Sequence, residues 1–399
     1  MDIDDARTIG ARLRQIRNAR RKSLRVVAGL AGVSKSHLSQ LERGERALDS
    51  LAELVALANA LQIAPSELTR LPVPAPANGH TDATTEAVRL VLDAIDLDRP
   101  DGLVVPVTAL REQVARIHQQ RRACQAAEVA TDLPVLIRNL HTTLAVGADH
   151  GELLDLGVYL HAHVTRWWLM EAAAPADLIR RTVFLTRRLA QERDSVTTLG
   201  VATFVVADTL LSGGAFELGQ AELDSLILPP TTADTAGLVG QVTALHAVAA
   251  ALNGRPGDVA PALDASTELA ERFGATGETD VSGYLFGPVD AGVNRMVLAV
   301  EAGEPDRAAG IARDIDPQQH PFAVNRANYW ARYGTALARL RGRGDDAVLA
   351  LRKAEELFPA KMQRDPIVRD VLGGLLTRSR RDAVGRELRG MAYRAGLPV

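Results

Sequence analysis

The chain has 399 residues, 47% of them hydrophobic and 24% charged, with a formal net charge of −3; length and composition predict two or three ordinary globular domains. Cys124 is the single cysteine, which excludes an intramolecular disulfide and any zinc site built on two or more cysteines of one chain. The run Phe204 to Leu211 is broken by Asp208, no stretch reaches the ~18 apolar residues of a membrane span, and the start Met1-Asp2-Ile3-Asp4-Asp5 lacks the apolar core of a signal peptide, so a cytoplasmic location is expected.

The charge is unevenly spread. Residues 7–48 carry eleven Arg or Lys against Glu42 and Glu45, a local balance of +9 that leaves −12 to the rest. A basic segment on an acidic body points to one polyanion-binding module. By composition alone, RNA and acidic lipid fit as well as DNA.

In chain order, the first helix is expected from about Ile9 to Arg20, with Leu13 and Ile16 inward. Ser23 is placed to cap a second over Leu24 to Ala31, and Ser34 a third over Lys35 to Arg43. Gly32 supplies the turn between them, and Gly44 ends the third helix. Ser50 caps a fourth over Leu51 to Leu61, and Pro65 opens a short fifth. At about 100° per residue, the third helix turns Leu38 and Leu41 to one side. Lys35, Ser36, Ser39 and Arg43 fall on the other, with Gln40 at the edge.

Leu71-Pro72-Val73-Pro74-Ala75-Pro76 cannot continue a helix. The expected division is therefore 1–71 for the basic domain, 72–82 for a Pro-rich linker and 83–399 for the body. The body shows helical periodicity and almost no strand pattern, and scarce aromatics leave Ala, Leu and Val to build its core. Helix pairs recur: Val201–Leu211 with Glu217–Leu228, Leu238–Leu252 with Val259–Phe273, Val289–Val300 with Asp306–Ile315, and Ala323–Leu340 with Asp345–Phe358. The segments beginning at Leu298 and Leu337 match at an offset of 39 residues, close to the spacing of helical-hairpin repeats. Ala260, Ala308 and Ala347 sit where neighbouring helices would approach closely.

Residues 23–46, with Ala28, Gly32, Val33, Ser34, Leu38, Leu41, Glu42 and Gly44 on the pattern, resemble the phage-repressor (Cro/C1, or Xre) helix-turn-helix family, and Leu51 to Leu61 is similar to its fourth helix. The resemblance implies a five-helix lambda-repressor-like domain whose third helix enters the major groove of a double-stranded DNA operator, two heads of a homodimer reading one site. By the same resemblance Lys35, Ser36 and Gln40 would face bases, while Ser34, Ser39 and Arg43 would lie nearer phosphates or flanking bases. Lys35 suits guanine acceptors and Gln40 can pair bidentately with adenine. Arg17 and Arg25 would clamp phosphates. The family often has Gln where this sequence has Leu24, so that contact is not carried over. His37 falls off the exposed face and reads as a helix-packing or DNA-backbone-contacting residue.

The remainder resembles the tetratricopeptide-like (TPR-like) domains fused to such heads in bacterial regulators, some of which sense small peptides. The fold class expected is thus all-α, a lambda-repressor-like head followed by a TPR-like α-solenoid. On the expected helix near 323–340, Ala323, Ala327, Trp330, Gly334 and Leu337 form the inward stripe. Asn325, Asn328, Tyr329 and Arg332 stand opposite, either to clamp a peptide or small-molecule effector or as a solvated face. Asp155, Tyr159 and Arg166 form a weaker group, as do Asp290 and Asn294. His161 and His163 point apart on a helix, and no phosphate loop, nucleophile elbow or metalloprotease motif is present. No metal, cofactor or catalysis is expected. The function expected is transcriptional regulation; the alternative is an interaction scaffold with a vestigial DNA-binding head.

Overall fold

The computed structural model describes residues 3–46, 48, 50–63, 65–69, 79–147, 149–227, 231–232, 235–274, 282–378 and 383–399, and among these every regular element is helical. The head comprises α1 (Ile3–Ala19), α2 (Leu24–Leu30), α3 (Lys35–Glu42), α4 (Leu51–Leu61) and α5 (Ser66–Thr69). Helix α1 starts six residues before the expected Ile9, since nothing between Ile3 and Thr8 breaks a helix. The three serines cap as expected: Oγ of Ser23, Ser34 and Ser50 accepts the N–H of Val26, His37 and Glu53 at 3.2, 3.1 and 3.3 Å. Gly44 leaves α3 at φ +67°, and a Cβ there would lie 2.7 Å from the Arg7 backbone, so only glycine fits both the conformation and the space. Leu13, Val27, Leu38, Leu57, Leu61 and Ile63 fill the small core. Gly10 lets α1 ride directly on α3, because a Cβ there would meet the Leu41 carbonyl oxygen at 2.1 Å.

The Pro-rich stretch 71–78 lies outside the described residues, and α6 (Gly79–Asp96) begins inside the expected linker. The body continues through α7 (Val107–Arg122), α8 (Ala126–Val146) and α9 (His150–Leu160). A π-helical turn, His161–Thr165, leads into α10 (Arg166–Glu171), followed by α11 (Ala176–Arg193). Then come α12 (Val196–Ser212), α13 (Phe216–Asp224), α14 (Ala236–Leu252), α15 (Pro256–Phe273), α16 (Pro288–Glu301) and α17 (Pro305–Arg313). The chain closes with α18 (Ala323–Ala338), α19 (Gly344–Leu357), α20 (Pro359–Arg364), α21 (Pro366–Leu376) and α22 (Ala383–Arg394). The expected pairs are hairpins: α12 packs on α13, α14 on α15, α16 on α17 and α18 on α19, and the first helices α12, α14, α16 and α18 touch in succession. In such a stack each hairpin buries its apolar face against its neighbours, here in several adjoining clusters. Ala308 and Ala347 are fully buried at these crossings, whereas Ala260 is exposed, contrary to expectation, on the outer side of α15.

Two features depart from an open solenoid. The stack bends until its first helices meet its last: α7 touches α18 and α10 touches α20, with the Arg122 guanidinium 4.0 Å above the Phe322 ring and Lys361 Nζ 3.3 Å from Glu171. Part of the interior is also filled by the chain itself. The Ser282 carbonyl takes a hydrogen bond from His163 Nε2 at 2.7 Å, and buried Phe286 packs on Gly240, where a Cβ would clash at 2.1 Å.

The head is seated on the body. Arg20 pairs with Glu387, Arg389 with Glu67, and Arg352 reaches both Glu387 at 3.1 Å and the Gln62 side chain. The backbone of α22 comes close enough that a Cβ on Gly390 would lie 2.7 Å from the Gln62 carbonyl oxygen. This contact uses the end of α1, the α4–α5 turn and α5 of the head and α19 and α22 of the body, and among the described residues it leaves α3 uncovered.

Candidate nucleic-acid interface

Helix α3 is a short amphipathic element with one buried seam. Leu38 and Leu41 sink into the head core, and Glu42 follows them at 7% exposure. Across the helix, Ser34, Lys35, Ser36 and Arg43 are exposed and Ser39 and Gln40 half-buried. Ser39 Oγ accepts from Arg43 at 2.6 Å, and Arg43 is also bidentate to Glu45 at 2.6 and 2.7 Å. That exposed pair is in full contact with solvent and contributes little to stability. His37 binds Glu53, tying α3 to α4 in the helix-packing role, one of the two expected of it. Arg25 is exposed on α2, and Arg46, which the sequence reading did not single out, is exposed just past Gly44.

Arg17 is a correction. Expected as a phosphate clamp, it turns inward: its Nε and Nη2 grip Glu42 at 2.6 and 2.9 Å while Nη1 donates to the Lys22 carbonyl at 3.0 Å. Its side chain is 12% exposed and that of Glu42 5%. The hydrogen-bonded Glu42 carboxylate holds the Arg17 pKa above its ordinary value against the opposing effect of burial. The pair fastens α1 to the end of α3. Lys22 is also engaged, donating to the Ala60 carbonyl at 2.7 Å, and burial followed by the nearby charges of Arg20 and Arg352 lowers its pKa. The basic segment is therefore partly structural.

The expected effector sites of the body are regrouped. Tyr329, expected opposite the inward stripe, is 3% exposed and donates its hydroxyl to the Ala312 carbonyl at 2.8 Å. Trp330 is only partly buried, with Lys353 Nζ 4.0 Å above its ring. On the polar side of α18, Asn325 and Tyr329 are engaged with α16 and α17. Asn325 donates to Asp290 Oδ1 at 3.1 Å, and Asp290 Oδ2 accepts the Gly287 N–H at 3.1 Å, which joins two residues from separate expected groups in one cap. Asn328 has its Oδ1 buried without a hydrogen-bond partner. Arg332 is half-buried near Asp365, and Asn294 is half-buried on α16. Asp155, Tyr159 and Arg166 do not converge. Asp155 accepts from Arg193 at 2.9 Å, Arg166 pairs with Asp208, and Tyr159 faces an interior group of histidines. His161 meets His141, Nε2 to Nε2, at 2.9 Å.

No helix among the described residues is long and apolar enough to cross a membrane. Among curated proteins, none matches the chain. Two solved structures align over most of its length. One is Bacillus thuringiensis PlcR in complex with the peptide PapR7 and DNA, at 11% identity and TM-score 0.29, covering 91% of this chain and 99% of that one. The other is ComR from S. thermophilus in complex with DNA and its signalling peptide ComS, at 14% identity and TM-score 0.27, covering 92% and 99%. Likeness at these scores is too low to carry a functional argument. Residues 8–71 match the family described as helix-turn-helix domain, and the capped α2–turn–α3 unit has that form, so the head of this chain is a helix-turn-helix domain.

Proposed function

We propose that the protein is an Xre-type transcription regulator. Helix α3 reads a double-stranded DNA operator through Lys35, Ser36 and Gln40, with Ser34, Ser39, Arg43 and Arg25 at the backbone or flanking bases. The body, read as TPR-like repeats, joins two copies and takes a small-molecule or peptide effector. The protein works in the cytoplasm by binding, without cofactor or catalysis. The observation that carries this reading is that α3 buries only Leu38, Leu41 and Glu42, leaving a face of hydrogen-bonding and cationic groups that no other element among the described residues covers. A helix kept only for packing has no use for that face.

The reading makes a quantitative claim about salt. Arg17, Arg20 and Lys22 are held by internal partners, which leaves Arg25, Lys35, Arg43 and Arg46 nearest the recognition helix. With about four phosphates per head and about 0.9 per phosphate, the slope of log affinity against log salt for a bound pair should be about −7. Titrations at several salt concentrations measure it. A flat response contradicts the reading, and a slope of about −13 would mean that Arg17, Arg20 and Lys22 abandon their internal partners on DNA.

For dimerisation, Val135 and Val146 share the outer face of α8, and the neighbouring extended segment presents Leu103 and Val104; all four are more than half exposed. Such a patch marks an interaction surface. Full-length protein should sediment as a dimer, and Leu103→Glu with Val135→Glu should give a folded monomer. A wild-type monomer at micromolar concentration, or a double variant that stays dimeric, refutes this assignment.

A further inference from the structure

The interior of the stack holds a cation that the protein leaves uncompensated. Arg121, in the last turn of α7, has its Nε buried without a hydrogen-bond partner, and among the described residues none bonds or ion-pairs with it. The groups that act on its charge are the phenols of Tyr159 and Tyr284, the Cys124 thiol and the like charge of Arg122, with no carboxylate among them. Burial pulls the Arg121 pKa down to about 10. Beside it lies a group of neutral hydrogen-bonding rings. His118, 2% exposed, has neither ring nitrogen bonded. Its ring centroid lies 4.8 Å from Tyr159 and 5.8 Å from His163, and Tyr284 packs 4.5 Å from His163 on the other side. Burial, followed by the charge of Arg121, brings the His163 pKa down to about 3, so this ring is neutral and donates Nε2–H to the Ser282 carbonyl. The group therefore already accommodates one oxygen acceptor, supplied by the chain. Burying a guanidinium is costly unless an anion meets it, and a planar carboxylate meets the guanidinium fork with two parallel N–H···O bonds.

We propose that this interior is a binding site for a carboxylate-bearing small ligand, an organic acid or the free C-terminus of a short peptide, with Arg121 as the counter-charge and His118 and Tyr159 as neighbouring hydrogen-bonding groups. The site differs from the α18 stripe, whose Tyr329 and Asn325 are spent on packing. The inference deepens the effector part of the reading above, and its test uses no DNA, so a failure to bind an operator leaves it standing.

The experiment is a thermal melt of full-length protein, alone and with succinate, with citrate, with a library of short peptides bearing free C-termini, and with the same library amidated. The first two probes separate organic acids from the peptides. Expected is an upward shift of the melting transition with at least one free-carboxylate probe, and its loss on amidation if that probe is the peptide library. Arg121→Leu should abolish the shift while raising the melting temperature of the unliganded protein, because it removes an unpaired buried charge. A merely structural arginine would lower that temperature when replaced. Arg121→Leu melting lower than wild type, a shift that survives Arg121→Leu, or no shift of the wild type by any probe would each overturn the proposal.

Discussion

Arg17→Ala will destabilise the head by about 2–3 kcal/mol, and its loss of DNA binding will follow from that rather than from a missing phosphate contact. The two charge-assisted hydrogen bonds to Glu42 and the third to the Lys22 carbonyl all vanish. The larger penalty falls on Glu42, a carboxylate at 7% exposure left buried without its cation. Removing one member of a fully buried pair costs about 3–5 kcal/mol; Arg17 remains in some contact with water, which places this case lower. The sign can be checked against Lys35→Ala, which removes an exposed cation and should leave stability within about 0.5 kcal/mol of wild type. Arg17→Met combined with Glu42→Leu should recover most of the loss, because no charge is then stranded. Chemical denaturation of full-length protein, followed through the transition of the head, gives all three values. If Arg17→Ala and Lys35→Ala prove equally stable, the Arg17–Glu42 pair is not what fastens α1 to α3.

Gln40→Ala will act on recognition and not on folding. Gln40 lies half-buried at the edge of the α3 face, with no role in the head core. A bidentate side-chain contact to a base discriminates by about 1–3 kcal/mol. Two heads on one inverted repeat double the loss to about 2–6 kcal/mol, and preference should relax at one symmetric pair of base positions while affinity for unrelated DNA stays constant. Binding of wild type and variant to single-base operator variants reads this directly. An unchanged preference profile places α3 in another register in the groove.

What was legible in the sequence was what neighbouring residues decide among themselves. Each of Ser23, Ser34 and Ser50 bonds a backbone N–H three residues on, so local chemistry sufficed to set the starts of α2, α3 and α4. The hairpin pairs followed from periodicity and turn residues in the same way. Arg17 was misplaced because its partner lies 25 residues away, and helix geometry alone does not distinguish a cation facing phosphate from one facing a buried glutamate. Arg166 has the same history with Asp208, 42 residues on. Tyr329 was assigned to a solvent or ligand face because a helical wheel assumes one apolar side. Helix α18 is packed on more than one side, and the Ala312 carbonyl satisfies the hydroxyl that made Tyr329 look exposed. Gly10 and Gly390 gave no signal of the close approaches they permit, since those depend on α3 and on the head–body contact.

The most direct test of the central claim is selection by full-length protein from a library of randomised DNA duplexes, repeated with Lys35→Ala, Ser36→Ala and Gln40→Ala combined. Wild-type protein should enrich an inverted repeat whose half-sites are centred about 10 base pairs, or a multiple of that, apart. The triple variant, folded and equally stable, should lose that enrichment while retaining weak salt-sensitive binding to any duplex. Enrichment of no sequence by the wild type, or the same motif from the triple variant, would contradict the assignment of α3 as the reading helix.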